Sequence, residues 1–121
     1  MGYSITTDGL SPYRLISAAN DNASVIKQGT GQLHMLTVIN TSATLYYLKL
    51  YDKAGTPTAS DVPVHTYPIP AGTSGNGFIL SSGSFGEQYN TGIAFRITSG
   101  GSDADTGACA AGAVYLNARY K

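Results

Sequence analysis

Residues 33–70 read LHMLTVINTSATLYYLKLYDKAGTPTASDVPVHTYPIP, and the pattern of this stretch decides the fold class. Successive strand side chains point to opposite faces, so Tyr46, Leu48 and Leu50 share one face while Tyr47, Lys49 and Tyr51 share the other. Residues 45–51 are therefore a half-buried strand. Before it, Asn40-Thr41-Ser42-Ala43 is a short polar break, which predicts a hairpin pairing residues 33–39 with residues 45–51. Residues 33–39 are apolar on both faces and predict a central strand with cover on each side. After the middle strand, residues 55–61 form a loop by composition. Pro63, Pro68 and Pro70 then remove ladder donors, so residues 62–70 are an edge strand or an extended segment.

Working outward, residues 13–19 and 23–27 are short strands closed by the turn clusters Asn20-Asp21-Asn22 and Gly29-Thr30-Gly31. Phe78-Ile79-Leu80 is another, and residues 87–90 form a weak one. Residues 91–98 alternate cleanly, with Ile93, Phe95 and Ile97 inward and Arg96 outward. Residues 99–112 are a loop of small residues carrying Asp103 and Asp105. In residues 113–120, Val114, Leu116, Ala118 and Tyr120 share one face. Many short strands without helical signals make an all-β fold, and the count fits a β-sandwich of the eight-stranded jelly-roll kind over residues 13–121. An immunoglobulin-like sandwich is the alternative, although the cysteine pair and core Trp of antibody domains are missing. Residues 1–12 read as an extended N-terminal arm.

The 121 residues are enough for one core. Seven basic and seven acidic residues give zero net charge, without the electrostatic footprint of a protein that grips phosphate backbones, so nucleic acid is not an expected partner. Low charge density and weak self-repulsion suit an assembly. The N-terminus lacks the basic start and apolar core of a signal peptide, and no apolar run reaches the roughly 20 residues that cross a bilayer. A cytosolic origin without membrane association is expected. Met1-Gly2 followed by Thr6 matches a myristoylation pattern only superficially, with bulky Tyr3 beside it.

Catalytic and metal-binding patterns are weak. His34 sits in an apolar strand, His65 lies among prolines, and Gly-x-Ser-x-Gly is absent, so a Ser/His/Asp triad is not expected. Neither histidine has ligands at metal spacing, and Asp103-Ala104-Asp105 lacks the twelve-residue calcium-loop pattern, so no metal and no cofactor is expected. Glu87 is the single Glu, too little for a hydrolytic carboxylate pair. Cys109, the one cysteine, reads as a small buried or loop residue. Asn22-Ala23-Ser24 and Asn40-Thr41-Ser42 match the glycosylation pattern, which matters only on a secretory route. Tyr47, Lys49 and Tyr51 form the most suggestive outward stripe. Such a stripe docks on protein, stacks on sugar or packs beneath a loop.

From Asn22 to Lys121 the chain resembles a family of small tailed-phage and prophage structural proteins. The matching pieces are Ala23-Ser24-Val25-Ile26-Lys27, Tyr47-Leu48-Lys49-Leu50-Tyr51-Asp52-Lys53-Ala54 with Thr56-Pro57-Thr58, Asp61-Val62-Pro63-Val64 and Tyr67-Pro68-Ile69-Pro70-Ala71-Gly72. Thr91-Gly92-Ile93-Ala94-Phe95, Ala104-Asp105-Thr106 and the terminal Val114-Tyr115-Leu116-Asn117 follow in order. The resemblance implies a non-enzymatic virion protein of jelly-roll type, a head decoration or cement protein that binds the major capsid protein as a homotrimer on the capsid surface. Met1–Asp21, the two His residues and Cys109 lie outside it. On that reading, Tyr3, Ile5 and Leu10 of the arm and the stripe Tyr47, Lys49 and Tyr51 are the expected interface residues. The alternative is a carbohydrate-recognising module of a tail or head fibre, with Tyr47, Tyr51 and Tyr89 as stacking platforms.

Overall fold

A computed structural model of the chain describes residues 9–121. These residues form nine strands and no helix. Sheet I contains β1 (Ser11–Ile16), β3 (Gly31–Asn40), β6 (Asn76–Ser81), β7 (Glu87–Tyr89) and β9 (Val114–Tyr120); sheet II contains β2 (Ser24–Gln28), β4 (Tyr46–Asp52), β5 (His65–Ile69) and β8 (Gly92–Thr98). The order in sheet I is β1-β9-β3-β6, with β7 also pairing β3, and in sheet II it is β2-β8-β4-β5. Every pairing is antiparallel. The first strand thus lies beside the last and the second beside the eighth, so the chain is wound as nested hairpins shared between two layers. The count is one more than the eight of the expected sandwich: the short β6 and β7, expected at residues 78–80 and 87–90, share one edge of β3.

The two sheets face each other across an apolar core, as a β-sandwich requires. Leu33, Leu36, Val38, Val114 and Leu116 project from sheet I, against Tyr46, Leu48, Leu50, Ile93, Phe95 and Ile97 from sheet II. Tyr13 closes one side with its ring edge-on to Phe95, centroids 5.8 Å apart. The alternation expected for residues 45–51 and 91–98 holds at each of these inward positions.

The predicted hairpin between residues 33–39 and 45–51 does not form: β3 lies in sheet I and β4 in sheet II. The polar break is a crossing between layers, held by the buried Asn40 side chain. Its Nδ2 donates to the carbonyls of Thr44 (2.8 Å) and Ile69 (3.2 Å), while Oδ1 accepts from the backbone and hydroxyl of Ser42. Asn22 plays a similar part with φ +52°, a left-handed conformation that Asn tolerates. Its amide is bonded to Ala18 and Asn20. Both residues of the glycosylation pattern are thus buried parts of the framework.

Two further expectations change. Residues Ser11 and Pro12, assigned to the arm, pair with Tyr120 and Arg119 and belong to the sandwich. β3 is central, but only one of its faces is covered among the described residues. A register shift between Leu33 and Met35 lets Leu33 and Leu36 both turn inward, which three residues of regular strand would forbid. Met35, Thr37 and Ile39 are left on the open side. The edge position expected of the proline-rich segment is realised in β5, whose Pro68 lies on the border of sheet II.

Candidate functional site

The outer face of sheet II carries the stripe Tyr47, Lys49 and Tyr51 together with Arg96 and Thr98. The chain covers this face with its own segment 99–112, which acts as a strap. Lys49 Nζ donates to the carbonyls of Ser102 and Asp105. Arg96 donates through Nε (3.1 Å) and Nη2 (2.7 Å) to the Tyr51 hydroxyl, through Nη2 to the Asp103 carbonyl at 3.3 Å, and places Nη1 3.8 Å from the Asp21 carboxylate. Asp105 folds the strap on itself, its Oδ1 accepting from the amides of Gly100 and Gly107. Lys49 is 0% and Tyr51 1% exposed, so the expectation that they form an outward docking stripe is corrected. They pack beneath a loop, and Tyr47 is half-buried beside Gly101.

Burial, followed by the neighbouring Arg96 charge, pushes the Lys49 ammonium below its ordinary value. Burial likewise pushes the Tyr51 phenol up, against the pull of Arg96. Two cations side by side in a protein layer are costly unless satisfied. Here they are satisfied, since no buried side-chain nitrogen or oxygen among the described residues lacks a partner.

The outer face of sheet I has no such cover among the described residues. Register places its side chains in three rows across four strands. The first is Ile16, Tyr115, Ile39 and Gly77; the second is Arg14, Asn117, Thr37 and Ile79; the third is Pro12, Arg119, Met35 and Ser81. Ile16 is 43%, Ile39 38% and Ile79 71% exposed. No carboxylate occurs in any row. Gly77 is required here for a close approach, because a Cβ would sit 1.8 Å from the Val38 carbonyl oxygen.

A third cluster joins the free borders of the two sheets. His65 Nε2 lies 2.6 Å from Glu87 Oε2, the Tyr89 hydroxyl donates to Glu87 Oε1 at 2.7 Å, and His65 stacks on Tyr67 with centroids 5.5 Å apart. Burial, then the bond to Glu87, drives the Tyr89 phenol far above its ordinary value. Both Glu87 oxygens are occupied by these neighbours, so the cluster works as a clamp between β5 and β7. Among the described residues no group of His, Cys, Asp and Glu is placed to hold a metal ion. Cys109 is buried, and burial raises its thiol pKa.

Of the expected interface residues, Tyr3 and Ile5 lie outside the described residues. Leu10 is 41% exposed and lines a shallow groove with Gln32, His34, Phe85 and Lys121. Sequence reasoning passed over Ile16, Ile39, Ile79, Tyr115, Arg14 and Arg119. Each is the alternate of an inward residue in its strand, so the signal was present. Only the strand order gathers these residues onto one face.

No protein-family profile, curated protein or solved structure matches this chain.

Proposed function

We propose that the protein is a structural component of a phage virion, a head decoration or cement protein that docks on the major capsid protein through the outer face of sheet I. The observation that carries this reading is the asymmetry of the two outer faces. One is sealed by the strap, and the other carries no cover among the described residues and presents a partly apolar surface with Ile16, Tyr115, Ile39 and Ile79 exposed or half-buried. Flat apolar faces rimmed by polar residues mark docking surfaces. The nested strand pairing supports reading the sandwich as a jelly roll, in agreement with the family resemblance over residues 22–121.

The energetics fit a lattice. Full burial of one isoleucine contributes roughly 1.5–3 kcal/mol. A few such side chains per copy give a modest contact, and multivalency across a shell of identical copies makes it hold. A homotrimer multiplies the effect again. The sugar-binding alternative loses two of its three platforms, since Tyr51 and Tyr89 are each 1% exposed and only Tyr47 is half-buried.

The test is co-sedimentation of the purified protein with empty capsids of the phage or prophage that encodes it, beside the double variant Ile39→Glu/Ile79→Ser. The wild type is expected to pellet with capsids. The variant, altered only on an open surface, should keep its melting temperature and stay in the supernatant. A wild type that ignores capsids overturns the proposed function, and a variant that pellets unchanged overturns the assignment of this face.

A further inference from the structure

On the same open face, we propose a carboxylate subsite formed by Arg14 and Arg119, which receives an Asp or Glu side chain of the partner protein. Arg14 lies opposite Asn117 and Pro12 opposite Arg119, so the two arginines are diagonal neighbours on the β1/β9 ladder. Diagonal positions on an antiparallel pair stand about 7–8 Å apart, within mutual reach of two long side chains. Both line one groove of about 380 Å³, together with Met35, Thr37 and Asn117.

Neither arginine has a hydrogen bond or ion pair with a described residue. Most of the other described charges have found partners. Asp52 accepts from the amides of residues 90–92, Asp61 pairs with Lys53, and Glu87 pairs with His65. Asp105 folds the strap, and Asp21 lies near Arg96. Arg14 and Arg119 are thus two like charges at diagonal ladder positions on a face that carries no acid among the described residues, an arrangement that an anion between them relieves. Guanidinium groups match a carboxylate in plane and in donor spacing. Asn117 and Thr37 add neutral polar groups beside them.

Carboxylate is favoured over phosphate by the surroundings. The adjoining row is apolar, with Ile16, Tyr115 and Ile39, which suits a protein surface and offers nothing to a nucleic-acid backbone. Two cations also make a short footprint for a polyanion. The subsite deepens the docking reading of this face and supplies register to a contact whose apolar rows have little orientation of their own.

The experiment is an amide NMR titration of the full chain with acetylated, amidated hexaglutamate at low ionic strength, repeated on Arg14→Gln/Arg119→Gln and on Lys27→Gln. Lys27 is a cation of sheet II, away from the groove. Saturable shifts at Arg14, Thr37, Asn117 and Arg119 are expected. The double variant should weaken binding about tenfold, added salt should weaken it in the wild type, and Lys27→Gln should leave it unchanged. Shifts spread evenly over all cations, binding unaltered in the double variant, or tighter binding of hexathymidylate in the same groove each overturn the subsite. Because the probe contains no capsid, the outcomes separate. Arginine-dependent binding of hexaglutamate with no capsid retention keeps the subsite and removes the decoration reading. Capsid retention without hexaglutamate binding does the reverse.

Discussion

Replacing Tyr51 with phenylalanine removes one oxygen atom from beneath the strap and leaves the shape of the core untouched. That oxygen accepts from Arg96 Nε at 3.1 Å and Nη2 at 2.7 Å, and Arg96 is 0% exposed. Without it, Nη2 keeps the Asp103 carbonyl at 3.3 Å, while Nε is left without a described partner. The ring survives, and with it the cation–π contact of 5.4 Å. A hydrogen bond to a charged group contributes about 1.5–3 kcal/mol, and two bonds that share one acceptor are worth less than their sum, so the substitution costs about 2–3 kcal/mol. For a chain of this length, that lowers the melting temperature by roughly 8–12 °C. Calorimetry or circular dichroism melting of wild type, Tyr51→Phe, Arg96→Met and the double variant measures the effect and its coupling. In the Arg96→Met background the tyrosine should be almost dispensable. A Tyr51→Phe protein within about 0.5 kcal/mol of wild type would refute the argument that this oxygen sustains the buried guanidinium.

Three further outcomes follow from the same geometry. Asp105→Ala removes the acceptor for the Gly100 and Gly107 amides, so strap amides should exchange with solvent faster, by about 1–2 kcal/mol of local opening, while sheet II core amides keep their protection; hydrogen exchange measures both. Gly77→Ala places a methyl group 1.8 Å from the Val38 carbonyl oxygen, a backbone atom that cannot yield without breaking the β3/β6 ladder, so a loss of about 1–3 kcal/mol or more is expected in urea unfolding. Stability should fall at both extremes of pH. Burial raises the phenols of Tyr51, Tyr67 and Tyr89 above 10.0, so the folded chain keeps protons that the unfolded chain releases, and stability present below pH 10 is lost as pH rises through the folded values. Cys109, raised by burial from 9.0, acts in the same sense as the tyrosines, and Lys49, lowered by burial, acts in the opposite sense over part of that range. On the acid side, the Thr91 amide and its neighbours hold Asp52, and Lys53 holds Asp61, below 3.8. Their contribution is present above that value and lost as pH falls through the lower folded ones. Urea midpoints across pH measure both limbs.

The alternation of Tyr46, Leu48 and Leu50, of Ile93, Phe95 and Ile97, and of Val114, Leu116 and Ala118 determined by itself that this is an all-β chain with one shared core. A period of two is a local property that any strand displays before its partners are known. The prolines around β5 likewise announced a border, because a missing amide is tolerated only there. Partnership was not legible. Asn40-Thr41-Ser42-Ala43 has hairpin composition, yet Asn40 bonds to Ile69 in the other layer, and nothing local separates a turn from a crossing. The stripe Tyr47, Lys49 and Tyr51 was correctly turned away from the core, but alternation distinguishes two faces without saying which one meets water. The strap of residues 99–112 decided that by offering carbonyl oxygens to Lys49 and Arg96. The open face went unseen for the same reason: Ile16, Tyr115, Ile39 and Ile79 come from four strands, and only the long-range order β1-β9-β3-β6 sets them side by side.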